Sequence, residues 1–228
     1  MSLPAASLLH LLQLASPSLP VGAYSYSQGL EAAIESGLVS NETNARDWII
    51  DMLHEVVARF EAPLLWRLLQ AFAAHDLPAA TYWSNYFIAA RDSAEFRAET
   101  IQMGYSLGKL VTELKICDPD LQQFLENQND MPFPTALAAA SIALQVPAEA
   151  AMLGMLFSWA ENQVLVCVKS VPLGQVSGQR LLLSLRAELE AAAAHAQSIA
   201  DDEISNWSPG LSLMSMQHEV QYSRLYRS

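Results

Sequence analysis

The chain is short of charge, above all of positive charge. Only 16% of its 228 residues are Asp, Glu, Lys or Arg, whereas a typical soluble domain has about 25%. The 12 Lys and Arg residues face 24 Asp and Glu residues, which gives a formal net charge of -12. Both a nucleic-acid backbone and an anionic membrane surface would repel such a protein. We therefore expect no nucleic acid and no membrane among its partners.

Signals for export and for membrane insertion are also lacking. Residues 1–30 contain no Asp, Glu, Lys or Arg, so the basic region that opens a signal peptide is missing. No uninterrupted apolar run reaches the length of about 20 residues that a bilayer crossing needs. The two cysteines, Cys117 and Cys167, lie far apart within helical patterns, as expected of free thiols in a reducing compartment. These features predict a cytoplasmic protein.

Motifs of metal sites and of enzymes are missing as well. The five histidines form no H-x-x-x-H pair, and the cysteines do not have zinc spacing. Neither a G-x-x-x-x-G-K-[ST] loop nor a G-x-S-x-G nucleophile motif occurs. Glu95 and Glu99 are interpreted as solvated residues on a helix rim rather than as a catalytic pair. His218, beside Glu219, is only a weak candidate metal ligand. We expect no catalytic residue and no tightly bound cofactor.

Most of the sequence shows the periodicity of amphipathic helices. Apolar residues recur about every 3.6 positions along most of the chain, and no segment alternates convincingly with the period of a strand. Trp48, Met52, Val56 and Phe60 form one such stripe, and Pro63 should kink this helix or start another. The pattern predicts one all-α domain of roughly eight to ten helices. The expected helices cover residues 3–15, 23–36, 47–60, 78–90, 92–115, 134–145, 148–169 and 173–203.

The C-terminal segment is unusually apolar and aromatic for a chain end. Residues 207–228 have the sequence WSPGLSLMSMQHEVQYSRLYRS, with Glu219 as their one acidic residue in an otherwise acidic protein. Met, Tyr and Arg are enriched at the centres of protein interfaces. We therefore divide the chain into an all-α domain, 1–205, and an interaction tail, 206–228, joined by a loose connection at 204–213. The tail is expected to dock on its own domain, on a second copy or on another protein.

A second unusual segment lies near the N-terminus, where residues 16–31 have the sequence SPSLPVGAYSYSQGLE. Gly22 permits a tight turn, while Tyr24 and Tyr26 offer amphipathic contact surface at low entropic cost. Gly29 destabilises a helix by about 1 kcal/mol relative to alanine, so its place inside the second expected helix indicates close backbone packing. The alternative is a hydroxyl-rich turn between two helices.

Three blocks of the sequence resemble the UreF family of urease accessory proteins, and they do so quite specifically. The first block is 18–31, the second is KSVPLGQ at 169–175 followed by GQR at 178–180, and the third is SMQHEVQYSRLYRS at 215–228. Together they bracket almost the whole chain, while residues 38–90 match only as helices. The resemblance implies an all-α, cytoplasmic homodimer with no catalytic residues of its own.

The resemblance also implies a role in the maturation of the nickel enzyme urease. Such a protein binds a UreD/UreH-type accessory protein, and the two recruit a UreG-type GTPase that delivers nickel to the urease apoprotein. Nickel would then be handled by the complex. The family's tail and N-terminal region form the surface for the UreD/UreH-type partner, which assigns to that surface Leu19, Pro20, Gly22, Tyr24, Tyr26, Gly29, Glu31, Met216, His218, Glu219, Tyr222, Ser223, Arg224, Leu225, Tyr226 and Arg227.

For the GTPase side, the resemblance assigns the K-x-x-P-L-G-Q block, with Lys169, Pro172, Gly174 and Gln175. Two functions stay open for this block. A scaffold would couple the GTPase to nickel delivery, whereas a direct regulator would change the rate of GTP hydrolysis by its partner. In the second case Lys169 or Arg180 would act near the phosphates. An enzyme with an apolar pocket between its helices is a third alternative, from a different functional class.

Overall fold

The computed structural model describes residues 3–171 and 173–227, and these residues form helices and connecting turns without any strand. The predicted all-α fold class is confirmed. Residues 42–73 form one continuous helical run, so the described residues hold eleven separate helices, close to the expected eight to ten. The α-helices in chain order are α1 (Ala5–Leu14), α2 (Leu30–Glu35), α3 (Glu42–Met52), α4 (Ala62–Ala73), α5 (Leu77–Ala89), α6 (Ala94–Leu114), α7 (Pro119–Glu126), α8 (Phe133–Ala143), α9 (Ala148–Ser170), α10 (Gln175–Ser184), α11 (Arg186–Ser198) and α12 (Pro209–Glu219).

Short polar side chains fix where several of these helices begin. An N-cap oxygen accepts a hydrogen bond from a backbone N–H that has no partner inside the helix, which contributes about 1 kcal/mol per cap. Four helices start in this way, and the capping residues are Asn41 for α3, Asp76 for α5, Ser93 for α6 and Asp118 for α7. Local sequence therefore sets the register of α6, the helix that later receives the tail.

Pro63 lies in the first turn of α4, without a break in the helical run. It follows a π-helical segment, Leu53–Glu61, that joins α3 to α4. A proline has no N–H to donate to the carbonyl four residues earlier. That carbonyl, on Arg59, accepts a hydrogen bond of 3.1 Å from the backbone N–H of Ser205. The proline thus makes an acceptor available to the segment that leads into the tail.

The connection between domain and tail is fixed, so the prediction of a loose connection at 204–213 was wrong. Ile204 is buried in an apolar cluster, and the Asn206 amide donates to the carbonyl oxygen of Ala90 over 2.9 Å. Helix α12 already begins at Pro209. The sequence prediction failed because Ser205 and Asn206 have hydrogen-bond partners far away in the chain, which local sequence does not show.

Two further helix predictions were wrong in their bounds. The expected helix 23–36 is a short 3-10 turn, Ala23–Ser25, and the α-helix begins only after Gly29, whose φ of 84° is left-handed. Gly29 nevertheless packs closely, since a Cβ there would lie 2.7 Å from Leu211 Cδ1. The expected helix 173–203 breaks at Leu185 into α10 and α11. Helix α7 has no counterpart among the ranges of the expected helices.

Helix α9 is the centre of the fold. Within residues 3–171 and 173–227 it is the one helix whose length and composition would allow it to cross a membrane, with a mean hydropathy of 1.3. Half of that apolar window is buried inside the fold, where α1 to α4, α8, α10 and α11 all pack on this helix. An apolar helix with neighbours on most sides is the usual core helix of a globular domain, and α9 has that role here.

The crossing of α6 and the segment before α8 depends on two glycines. A Cβ on Gly104 would lie 2.0 Å from the Met131 carbonyl oxygen, and a Cβ on Gly108 would lie 2.1 Å from Met131 Cε. The first contact is with backbone, which cannot rotate away as a side chain can. The α6–α8 packing therefore admits only glycine at position 104.

We predict that Gly104→Ala lowers the free energy of unfolding by about 1–3 kcal/mol, the usual range for overpacking. Urea denaturation followed by circular dichroism would measure it. Gly210→Ala is the matched control, because a Cβ there meets nothing within 4 Å and alanine favours helix. Equal midpoints for Gly104→Ala and the unmodified chain would contradict the packing argument.

Candidate functional site

The tail docks on its own domain. Helix α12 lies against α2 and α6, and Leu211 covers the space above Gly29. On the polar side of this contact, Ser215 Oγ lies 2.8 Å from Ser93 Oγ, and both residues are buried. Serine at position 212 extends the contact by donating to the Asp92 carboxylate. Small residues on α12 thus let the tail approach the domain closely.

A buried charge cluster holds the end of α12. His218 has no exposed surface, and its Nε2 lies 3.1 Å from Glu31 Oε2 while its Nδ1 lies 3.0 Å from Glu95 Oε2. Arg224 Nη1 lies 2.9 Å from the second oxygen of Glu95. Two carboxylates from different helices, α2 and α6, therefore face the imidazole of His218 and the guanidinium of Arg224 in the tail. Breaking a buried pair of this kind leaves an uncompensated charge, which is strongly destabilising.

The interpretation of Glu95 and Glu99 as solvated rim residues was wrong. The Glu95 side chain is only 11% exposed, and Glu99 is buried and accepts a hydrogen bond of 2.5 Å from Gln28 Nε2. Burial raises the pKa of Glu95, and its cationic neighbours lower it only in part. Spacing on α6 alone could not reveal this, because the partners of both carboxylates lie about seventy or more positions away in sequence.

Glu31 also fixes the residues after α12. Its Oε1 accepts from the backbone N–H of Leu225 at 2.7 Å, and its Oε2 accepts from that of Tyr226 at 3.0 Å. The next backbone N–H, of Arg227, donates to the Ser25 carbonyl at 2.8 Å. One buried carboxylate therefore organises both the histidine and the extended end of the tail.

All three unusual blocks of the sequence meet at Tyr226. Its side chain is buried, and Lys169 Nζ lies 5.6 Å from the centre of its ring, within the range of a cation–π contact. Tyr226 belongs to the third block and Lys169 to the second, while Glu31, which binds the Tyr226 N–H, belongs to the first. The structure brings these blocks together although they are far apart in the chain.

Polar residues of α9 hold the N-terminal block in place. Asn162 donates to the Tyr26 carbonyl oxygen at 2.8 Å, and Trp159 Nε1 donates to Gln28 Oε1 at 2.7 Å. Tyr24 Oη donates to Glu161 Oε2 at 2.5 Å, and burial together with this carboxylate raises the pKa of Tyr24. Sequence reasoning missed these α9 residues. The signal was present, since Glu161, Asn162 and Gln163 interrupt an otherwise apolar helix.

The residues assigned to partner binding divide by exposure. Those that build the docking itself are buried: Tyr26, Gly29, Glu31, His218 and Tyr226. Leu19 and Tyr24 are half-buried. The remaining assigned residues are exposed and lie at the turn before α2 or along the tail: Pro20, Gly22, Met216, Glu219, Tyr222, Ser223, Arg224, Leu225 and Arg227. The predicted set therefore contains both an anchor and a surface.

Large apolar side chains on the tail point to solvent. Val220 is 83% exposed and Leu225 74% exposed, and Tyr222 is fully exposed. Trp207, Leu213 and Met216 add to this surface. These side chains together form an exposed apolar patch on one short segment. Exposed apolar patches of this kind mark interaction sites.

On the proposed GTPase side, Lys169, Gly174 and Gln175 are all exposed. Gly174 precedes α10, and Gln175 is its first residue. Arg180 lies further along the same helix, with its Nη1 3.9 Å from Glu42 Oε1. Pro172 lies outside the described residues. Lys169, Gly174 and Gln175 thus lie on the surface where α9 ends and α10 begins, and Lys169 contacts the tail through Tyr226.

A cavity of about 120 Å³ lies beneath the N-terminal block, between α6, α8, α9 and α12, and is lined mostly by apolar side chains. Its described lining contains no histidine, cysteine or lysine. Burial raises the pKa of Cys117 to about 11 and that of Cys167 to about 12, so neither thiol forms a thiolate near neutral pH. The lining does include charged residues, Glu61, Arg91, Asp92 and Glu99.

Similarity to known proteins covers nearly the whole chain. Residues 39–186 match the UreF family model. The chain is 73% identical over 224 residues to the urease accessory protein UreF of Janthinobacterium sp. (strain Marseille), which covers 98% of this chain and 99% of that protein. It is 61% identical over 222 residues to the urease accessory protein UreF of Nitrosospira multiformis, with 97% and 98% covered. For that of Azoarcus sp. (strain BH72), identity is 49% over 223 residues, with 97% and 95% covered.

We predict that Glu31→Gln releases the end of the tail, because the variant loses the charge that binds His218 and the Leu225 and Tyr226 N–H groups. A hydrogen bond to a charged group contributes about 1.5–3 kcal/mol, so cleavage by trypsin after Arg224 should speed up roughly tenfold or more. Mass spectrometry of the fragments would follow this. Glu35→Gln is the matched control, since Glu35 is an exposed residue of the same helix. Equal cleavage of the two variants would contradict the anchoring role of Glu31.

Proposed function

This chain belongs to the UreF family of urease accessory proteins, and we propose that it works as a scaffold for nickel insertion into urease. In this proposal it binds a UreD/UreH-type accessory protein and, with it, recruits a UreG-type GTPase to the urease apoprotein. Nickel is cargo of the assembled complex, and this chain holds no cofactor tightly. The observation that carries the proposal is the meeting of the three sequence blocks around Glu31 and Tyr226, which joins the two candidate partner surfaces.

The docked tail supports the UreD/UreH-type side of the proposal. Its buried anchors, Glu31 and His218, fix the segment while Tyr222 and Leu225 remain exposed. A segment that is already ordered loses less conformational entropy on binding than a disordered one. Aromatic and large apolar side chains on such a preformed surface are typical of binding hot spots.

The contact between Tyr226 and Lys169 supports the GTPase side. Lys169 is the cationic residue of the K-x-x-P-L-G-Q block. Its side chain is exposed, and its Nζ lies 5.6 Å from the centre of the Tyr226 ring. A partner that changes the position of the tail would change the surroundings of this lysine. Linked binding requires that the two partners favour the same position of this shared contact. The same contact supports the second candidate function, direct regulation of GTP hydrolysis by the partner.

An apolar face elsewhere on the molecule supports a homodimer. Leu8, Leu9 and Leu12 are exposed on α1, and Leu153 and Phe157 are exposed on α9, the helix on which α1 packs. Helix α1 carries no acidic or basic residue in its first or last turn, so this face offers shape and apolar area rather than charge. A second copy of the chain, with the same face, is the occupant we propose. A cytoplasmic location fits such an assembly.

The tail surface can be tested by partner capture. We predict that Tyr222→Ala combined with Leu225→Ala weakens retention of the UreD/UreH-type partner roughly tenfold or more, because hot-spot truncations typically exceed 1–2 kcal/mol. Neither side chain is buried, so the fold should persist. Tyr82→Ala, an exposed tyrosine on α5 outside the three blocks, is the control. A chain that ends at Ser205 should lose binding entirely, and undiminished capture by it would remove the tail from the proposal.

The two functions proposed for the K-x-x-P-L-G-Q block differ in what Lys169→Ala should change. For a scaffold, the variant loses co-purification of the UreG-type GTPase, while GTP turnover per bound GTPase stays the same. For a direct regulator, the GTPase is retained and its turnover changes. Arg180→Ala is the comparison, since it removes the other exposed cation nearby. GTP hydrolysis and recruitment that are both identical for all three chains would exclude this block from the GTPase side.

A further inference from the structure

The imidazole of His218 faces a carboxylate at each of its nitrogens. The distance from Nε2 to Glu31 Oε2 is 3.1 Å, and Nδ1 lies 3.0 Å from Oε2 and 3.2 Å from Oε1 of Glu95. A neutral imidazole has one N–H and one lone pair, whereas an imidazolium donates from both nitrogens. Only the protonated ring can therefore satisfy both carboxylates. A neutral ring would direct a lone pair at one of them without access to water.

The net charge of the groups around the ring also favours the protonated imidazole. Helix α2 contributes Glu31 and α6 contributes Glu95, while the tail contributes Arg224 at 2.9 Å from Glu95. With a protonated ring these four groups carry no net charge, and with a neutral ring they carry one negative charge in a buried site. The titratable groups further out are Glu99 on α6, Glu219, Tyr226 and Arg227 in the tail, Tyr26 in the N-terminal block and Lys169 on α9.

The Glu95 carboxyl is a second group in the cluster that binds a proton more readily when it is buried. Burial raises the pKa of Glu95, so this carboxyl also holds a proton more readily when the tail is docked. The geometry places the extra proton on the imidazole, which has a carboxylate at each nitrogen. In the released tail the imidazole and the carboxyl are both in water, where a histidine loses its proton near pH 6.5.

We propose that docking of the tail takes up one proton from solvent, so that the segment from Ser215 to Arg227 is a pH-sensitive latch. The stabilisation is fully present in mildly acidic solution and is lost as the pH rises past neutrality, because the released form then binds fewer protons than the docked form. The linkage concerns the isolated chain and needs no partner. Its failure would therefore leave the proposed scaffold function standing.

Release would change two surfaces at once. Leu225 and Tyr226 lose their N–H bonds to Glu31, and the Tyr226 ring leaves Lys169. The exposed apolar side chains of the tail lose their fixed positions at the same time. Proton uptake thus sets how much of the preformed tail surface exists at a given pH.

Hydrogen exchange of the full-length chain tests the latch. Protection of tail amides is measured by mass spectrometry from pH 5.5 to 8.5 and corrected for the intrinsic pH dependence of exchange. Peptides from α4 and α8 report global stability in the same samples. Uptake of one proton predicts that tail protection falls by up to about tenfold per pH unit above pH 6.5, while the α4 and α8 peptides stay protected. A tail whose corrected protection does not depend on pH would overturn the proposal.

Variants identify the group that takes up the proton. In Glu95→Gln the new amide can donate to the neutral imidazole, so the tail should stay protected at pH 8.5 and lose its pH dependence. His218→Gln should remove the pH dependence as well, with weaker protection throughout. His195→Gln is the matched control, since His195 is an exposed histidine on α11, and it should behave like the unmodified chain. An unmodified pH dependence in Glu95→Gln would refute the latch even if His218→Gln no longer docks its tail.

Discussion

The Glu31 carboxylate is the interaction on which the candidate site depends. It is buried on a helix of only six residues, and it contacts the ring of His218 and two successive backbone N–H groups of the tail. A carboxylate removed from water needs several donors to offset its lost hydration, and here the tail supplies all those that are described. The site and the tail therefore depend on each other: the carboxylate needs the tail, and the tail end is ordered by the carboxylate.

The scaffold beneath this contact is set mainly by α9. An apolar helix at the centre of a domain would normally carry no polar side chains towards its neighbours, yet α9 directs Asn162 and Glu161 at the N-terminal block. These residues hold a stretch of chain that has little regular structure of its own. The block that receives the tail is thus held to the central helix by side-chain hydrogen bonds.

Apolar periodicity in the sequence predicted those features of the fold that depend on neighbouring residues, namely the helices. Helices α6, α8 and α9 appear within a few residues of where apolar periodicity placed them, and Pro63 lies in the first turn of α4, where its missing N–H is tolerated. The failures share a cause. Glu95 and the 204–213 connection were assigned from their neighbours in sequence, but both are defined by contacts with residues far along the chain. That the three blocks belong to one surface came from family resemblance, and the contacts that join them could not be derived from spacing.

The hydrogen bond between Ser205 and the carbonyl of Arg59 has a consequence for how partners meet the tail. Because the root of the tail is fixed there and at Asn206, a released tail would remain a tethered ligand of its own docking groove. Its local concentration at that groove would be on the order of millimolar, as for short flexible linkers. A partner that needs the vacated groove would compete with this intramolecular occupant, whereas one that binds the docked tail would face no competitor. The fixed root of the tail thus favours partners that bind the docked tail.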